Sequence, residues 1–267
     1  MPTDTNRHDL IDTPLQVLMV IESSNYFNRV DSLQFDLFYQ RLQNSIHKTI
    51  SKHRGKEKHL KTNIYLVTFN SVDDAISCAL KIKHNAKYVT PSFDSSYKIL
   101  NIGINSSKAK LVDEAIRMAT YYCEVVSGDI VISSEVNSIY QDVHHNPKLN
   151  KDKIRSLKPR EEDFLKRLMS FVEEHWNDSQ FSVTDFSQKM GFSNSQLNRN
   201  IKSLTGLPPN SFIKKLRLQR ALKLLYNRKG TIANVAFETG FNSPTYFSKC
   251  FSKQFGILPS TFLKQNT

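Results

Sequence analysis

The spacing of apolar and polar positions changes character along the chain. Residues 15 to 21 form an apolar run interrupted by Gln16 alone, fit for a buried strand, and Phe35, Phe38, Leu42, Ile46 and Ile50 then recur at helical spacing. The pattern goes on to predict a strand over 64–69, a helix over 72–84, a strand over 97–104, a helix over 112–125 and a strand over 130–132, with an exposed loop over 88–96. Alternation of this kind indicates an α/β layer, a sheet with helices packed on it. Beyond residue 160 the helical period governs. Leu197, Ile201 and Leu204 face one way, as do Phe247, Phe251 and Phe255, and 209–226 reads as one long helix with proline at its start and Phe212, Ile213, Leu216, Leu222 and Leu225 inward.

The helical part contains one statement written twice. Phe186-Ser-Gln-Lys-Met-Gly191-Phe192-Ser193 is followed by Leu197, Ile201, Gly206, Pro209 and Phe212; Phe237-Glu-Thr-Gly240-Phe241-Asn-Ser243 is followed by Phe247, Phe251, Gly256, Pro259 and Phe262. The copies are 49 residues apart up to Phe192 and Phe241 and 50 apart from Ser193 and Ser243, so the second turn is one residue longer. Gly191 and Gly240 each close a short helix where a left-handed residue is needed, and a second helix follows. On that second helix the face opposite the apolar stripe carries Ser195, Arg199 and Lys202 in the first copy and Thr245, Lys249 and Ser252 in the second. Gln196 and Asn198 on the flank have the amide chemistry to meet adenine, and an arginine can grip guanine or phosphate. A single such face would be read as solvated; two in matched register point to a reader of duplex DNA. The connecting helix, about 25 Å long at 1.5 Å per residue, suits two helix-turn-helix units entering successive major grooves about 34 Å apart. Lys214, Lys215, Arg217 and Arg220 on it suit phosphate tracking or plain solvation equally, with Arg217 the more structural.

Charge supports this division. The chain of 267 residues has net charge +12, yet residues 1–146 are neutral, with 16 basic and 16 acidic side chains. Residues 147–160 hold 6 basic against 1 acidic, and 161–267 hold 15 against 8. Such localisation is the footprint of phosphate neutralisation. We therefore expect an α/β domain over 1–146, a flexible basic linker over 147–160 and an all-α DNA-binding domain over 161–267. Cys78, Cys123 and Cys250 lack paired spacing, which suits a reducing compartment, and the chain shows neither an apolar span of membrane length nor a signal-peptide core. A cytoplasmic protein is expected, without cofactor or metal, since His144-His145 lacks a third ligand.

The stretch Gly240-Phe-Asn-Ser-Pro-Thr-Tyr-Phe-Ser-Lys-Cys-Phe-Ser-Lys-Gln-Phe-Gly-Ile-Leu-Pro259, with Arg217-Leu-Gln-Arg-Ala-Leu-Lys-Leu-Leu225 and Ile232-Ala-Asn-Val-Ala236, resembles the DNA-binding domain of the AraC/XylS family of bacterial transcription regulators. The resemblance covers residues 181–262. It implies base-reading roles for Ser195, Asn198 and Arg199 and for Thr245, Tyr246 and Lys249, with Gln196, Lys202, Ser252 and Lys253 completing the DNA-facing set, and RNA polymerase as a partner.

Over residues 15–140, Tyr65-Leu-Val-Thr-Phe69, Ile102-Gly-Ile-Asn105 and Ile130-Val-Ile-Ser133 look like the catalytic-domain fold of class III nucleotide cyclases. Those enzymes hold two metal ions with two aspartates; here the corresponding positions are Glu22 and Asn63, and the later asparagine and arginine positions fall at Arg117 and Tyr121. With an amide at one metal position and no arginine to stabilise the transition state, no catalytic residue is expected. The domain is read as a relic that dimerises the chain, giving a homodimer, or senses an effector the sequence does not name. The alternative is an active or atypical nucleotide cyclase with a DNA-binding tail. A non-specific DNA-compacting protein is disfavoured, because backbone-only binding has no use for two differently tailored faces.

Overall fold

β1 (Gln16–Ser23) lies inside a six-stranded sheet and is covered on both faces. Val17, Met19 and Ile21 pack in one apolar core with α1 (Ser32–Lys52) and α2 (Val72–Val89), while Leu18 and Val20 pack against α3 (Val112–Glu124) in another. A strand buried on both sides needs no polar alternation, which accounts for the apolar run in the sequence. The computed structural model describes residues 15–23, 32–61, 64–89, 100–107, 112–145, 150, 152–181 and 183–265.

The sheet order is β2-β3-β1-β4-β5-β6, where β2 is Lys56–Lys61, β3 Ile64–Phe69, β4 Leu100–Ser107, β5 Ile130–Ile132 and β6 Ile154–Ser156. β1 runs antiparallel to β3 and β4, and β5 and β6 add to β4 in parallel. The order β1-α1-β2-β3-α2-β4 is a split βαβ arrangement, with both crossover helices on one face. The opposite face carries α3, which approaches β4 so closely that a side chain on Gly103 would sit 2.1 Å from the carbonyl oxygen of Ala119. Only glycine fits there.

The α/β layer is therefore as expected, with three additions. β2 escapes the pattern because Lys-Glu-Lys-His-Leu-Lys has no apolar alternation; among the described residues it is the edge of the sheet, and Lys56 and Lys58 suit an edge. α4 (Ser134–Val143) starts on Ser133, whose hydroxyl accepts the Val136 N–H, and buries Val136 among the residues of the α1 and α2 core. α2 extends to Val89, so Tyr88 is an exposed helical residue rather than part of a loop, and 90–99 lie outside the described residues.

A further difference corrects the expectation of a flexible linker over 147–160. Residues 154–156 pair with β5 as β6, and α5 (Pro159–His175) begins before the stretch ends. Residues 147–149 and 151 lie outside the described ones. Ile154 and Leu157 are buried, so apolar anchors inside a basic segment hold it to the sheet.

Six helices follow α5: α6 (Val183–Met190), α7 (Asn194–Thr205), α8 (Pro209–Tyr226), α9 (Ile232–Glu238), α10 (Pro244–Phe255) and α11 (Pro259–Gln265). α8 has the bounds that its N-terminal proline and apolar period predict. The helices build two unequal cores. One gathers Phe164, Leu165, Phe186, Leu197, Ile201, Phe212 and Leu216 together with Met118, Tyr121, Tyr122, Val125, Val126 and Val131 of the α/β layer. The other is built from α8 to α11, around Leu222, Val235, Phe247 and Phe251. The first helix-turn-helix unit thus shares its core with the sheet domain, and the second has a core of its own. At about 1.5–3 kcal/mol for each fully buried large apolar side chain, the shared core is a substantial bond between the two halves.

Candidate nucleic-acid interface

The two candidate reading helices are built alike. α7 starts on Ser193 and α10 on Ser243, and each hydroxyl accepts a main-chain N–H three residues on, from Gln196 and Tyr246. Both end on a left-handed glycine, Gly206 (φ 75°) and Gly256 (φ 74°), whose N–H donates to Lys202 O and Ser252 O. Each has 12 residues, and the left-handed turns before them are made by Gly191 (φ 70°) and Gly240 (φ 78°). Leu197, Ile201 and Leu204 are buried on the inner face of α7, and Phe247, Phe251 and Phe255 on that of α10.

The opposite faces carry the residues expected of a reader. Ser195, Gln196, Asn198, Arg199 and Lys202 are exposed, as are Thr245, Tyr246, Lys249 and Lys253, whereas Ser252 is half-buried at the last turn. Gln196 has a further role. Its Oε1 accepts from Ser193 N (3.0 Å) and Ser193 Oγ (3.1 Å), completing a capping box, so its amide oxygen is committed to the helix start. Tyr246 is 53 % exposed, and a hydrogen bond with Cys250 raises its phenol above the ordinary range.

Two arginines set the turns. Arg217 of α8 donates through Nε to Trp176 O (2.7 Å), through Nη1 to Gly240 O (3.0 Å) and through Nη2 to Asp178 O (2.6 Å). Its fork ties the end of α5 to the turn before α10. Burial pulls its pKa below the ordinary guanidinium value. Fifty residues earlier, Arg167 of α5 donates to Met190 O (2.7 Å) beside the first turn and lies 5.6 Å from the centre of the Phe192 ring. The repeat therefore includes the long helices, a register that Pro159 and Pro209 already mark in the sequence. Arg220 sits 5.0 Å from the centre of the Trp176 ring. Of the cations on α8, Arg217 thus holds structure as expected, Arg220 does so as well, and Lys214 is exposed. The counterpart of buried Phe186 in the second copy is Val235; Phe237 is 57 % exposed.

Of the positions singled out by the cyclase resemblance, Glu22, Arg117 and Tyr121 are among the described residues. Glu22 is part-buried, and its carboxyl is pushed up to about 7, first by burial and then by the charge of Glu124, with Lys223 and Lys215 of α8 acting the other way. Glu124 Oε1 is 3.4 Å from Lys223 Nζ. Asn63 lies outside the described residues. Arg117 is exposed, and buried Tyr121 donates its hydroxyl to Glu173 of α5 at 2.7 Å. His144 faces Asp73 at 2.5 Å. Among the described residues no helix is long and apolar enough to cross a membrane.

Residues 186–265 match the family model described as a helix-turn-helix domain. Among curated proteins, this chain is similar to histidine kinase P4 of Formosa agariphila, 42 % identical over 102 residues that make 38 % of this chain and 7 % of that one. It is also similar to the HTH-type transcriptional regulator ExsA of Pseudomonas aeruginosa, 31 % identical over 96 residues, 36 % of this chain and 34 % of that one. Among solved structures, the C-terminal domain of the two-component response regulator yesN from Fusobacterium nucleatum is 26 % identical and covers 38 % of this chain and 98 % of that one, with a TM-score of 0.37. The chain spans about a third or less of these two curated relatives.

Proposed function

We propose that this chain is a sequence-specific regulator of transcription that reads duplex DNA through α7 and α10. The observation that carries this reading is the matched construction of the two helices. Each has a serine start, a left-handed glycine end, an apolar inner face and an exposed outer face with a central cation, Arg199 or Lys249. Ser195, Asn198 and Arg199 are the base-reading candidates in the first unit, and Thr245, Tyr246 and Lys249 in the second. Lys202, Ser252 and Lys253 lie on the same faces, and Gln196 supports the start of α7 rather than reaching a base. The relatives named as transcriptional regulators support the same assignment. RNA polymerase is the partner implied by that resemblance.

The N-terminal domain is read as a non-catalytic, cyclase-like module that pairs two copies of the chain or senses an effector. Engagement of Tyr121 by Glu173, at the place where a cyclase needs an arginine, supports a role without chemistry. Selection of bound duplexes from random DNA by the full chain, followed by anisotropy titration at two salt concentrations, tests the proposal. Affinity should fall steeply with salt, and Arg199→Ala and Lys249→Ala should each cost about 1–3 kcal/mol and alter the selected motif at different positions. Failure to enrich any motif, or the same motif at undiminished affinity for both variants, would refute it.

A further inference from the structure

The joint between the two halves of the molecule ends on a reading helix. Ser203 and Leu204 stand in the last turn of α7, where main-chain carbonyls find no partner within the helix. Arg155 of the edge strand β6 supplies one. Its Nη1 donates to Leu204 O at 2.9 Å and its Nη2 to Ser203 O at 3.0 Å. Nη1 also reaches Ser127 O (2.9 Å) and Ser127 Oγ (2.6 Å), and Nη2 reaches Glu161 Oε1 (3.3 Å). Ser127 N–H donates to Leu204 O at 3.0 Å, and a side chain on Gly206 would meet Ser127 at 3.5 Å. A cation at this end also faces the negative end of the helix dipole. Glu162 secures the neighbouring helix, accepting from Ser134 N (2.9 Å), Ser134 Oγ (2.7 Å) and Tyr122 Oη (3.1 Å).

Arg155 belongs to the basic stretch whose charge suggests phosphate contact, yet the structure commits its guanidinium to protein carbonyls. We propose that Arg155 is a positioning residue for DNA recognition: from the edge of the N-terminal sheet it fixes the C-terminal end of α7, so the sheet domain sets the pose in which the first unit presents Ser195, Asn198 and Arg199. The inference rests on the reading of α7 as a DNA-contacting helix. It makes the sheet domain part of the reader and assigns it to one unit, since α10 belongs to the separate core.

The test is a pair of double-mutant cycles on the full chain, with the duplex selected by the wild type. Arg155→Ala should weaken binding about tenfold, as expected for loss of charge-assisted hydrogen bonds. The loss should shrink to about twofold or less in an Arg199→Ala background and stay near tenfold in a Lys249→Ala background, because residues acting through one element couple and distant ones add. Arg155→Lys, which keeps the charge without the planar fork, should recover only part of the affinity. Ser127→Ala, which leaves α7 and the guanidinium in place, should weaken binding about twofold with the same coupling, and it decides the matter if Arg155→Ala fails to fold. Equal losses in the two backgrounds, or folded variants that bind as the wild type does, would overturn the inference. A wild type that selects no DNA would instead remove the functional reading beneath it.

Discussion

Replacing Arg217 with alanine should loosen the second helix-turn-helix unit and leave the first in place. The guanidinium spans three carbonyls, Trp176 O, Gly240 O and Asp178 O, at 2.7, 3.0 and 2.6 Å. A hydrogen bond to a charged group contributes about 1.5–3 kcal/mol, and water will replace part of that where the carbonyls are near the surface, so a loss of about 2–4 kcal/mol is expected for the three together. Arg217→Lys should restore less than half of it, because a single ammonium cannot reproduce the fork. The core of α8 to α11 is distinct from the shared one, so the loss should fall on a separate cooperative unit. Native-state hydrogen exchange with urea unfolding reads this directly. Protection should drop in α9 and α10 and persist in α6 and α7. A destabilisation below about 0.5 kcal/mol, or equal loss of protection in both units, would refute the reasoning.

Phe247 is fully buried, with ring centroids 5.2 Å from Phe241 and 5.6 Å from Phe251. Phe247→Ala should cost about 3–5 kcal/mol in equilibrium unfolding, again confined to the second unit; a cost under about 1 kcal/mol would contradict the packing. Glu22 holds a proton up to about pH 7 in the folded chain and to about 4.5 when solvated, so its contribution is fully present below about 4.5 and lost as pH rises through about 7. Stability should therefore fall between these values by at most about 3 kcal/mol, and Glu22→Gln should flatten the fall; an unchanged pH profile would exclude Glu22 as its source. Sedimentation of the full chain should show a concentration-dependent dimer, and incubation with ATP or GTP and magnesium or manganese should yield no cyclic nucleotide. A monomer at all concentrations would remove pairing, and turnover abolished by Glu22→Ala would favour the enzyme.

The legible parts of the sequence were those governed by local rules. Pro209 at the first helical position and the apolar period after it located α8, and the inner faces of α7 and α10 followed from three- and four-residue spacing. β2 and β6 escaped because each is short and polar and owes its existence to a neighbour strand. Arg155 was legible only as charge, and Arg217 only as the more structural cation of its helix: their partners are carbonyls presented by chain segments far away in sequence, which no periodicity records. The same limit explains why a basic stretch read as a linker turned out to hold the first unit to the sheet. Exposure of Ser195, Arg199, Thr245 and Lys249 followed from helix register alone, Asn198 entered as a flank position and Tyr246 by resemblance, whereas the commitment of Gln196 to its own cap required the Ser193 partner to be seen in place.

α8 gives the molecule a lever. Its 18 residues make a rod about 27 Å long at 1.5 Å per residue, seated at one end in the shared core and carrying the second unit at the other. A tilt of about 5° at the seat would swing the far end by about 2 Å, several times the few tenths of an ångström that a hydrogen bond to a base edge tolerates. A side-chain adjustment beneath Phe212 or Leu216, too small to disturb the first unit, would thus be magnified into a misfit at the second. On the function proposed above, mutations at the foot of this rod would then change which DNA is selected at its tip without touching a residue there.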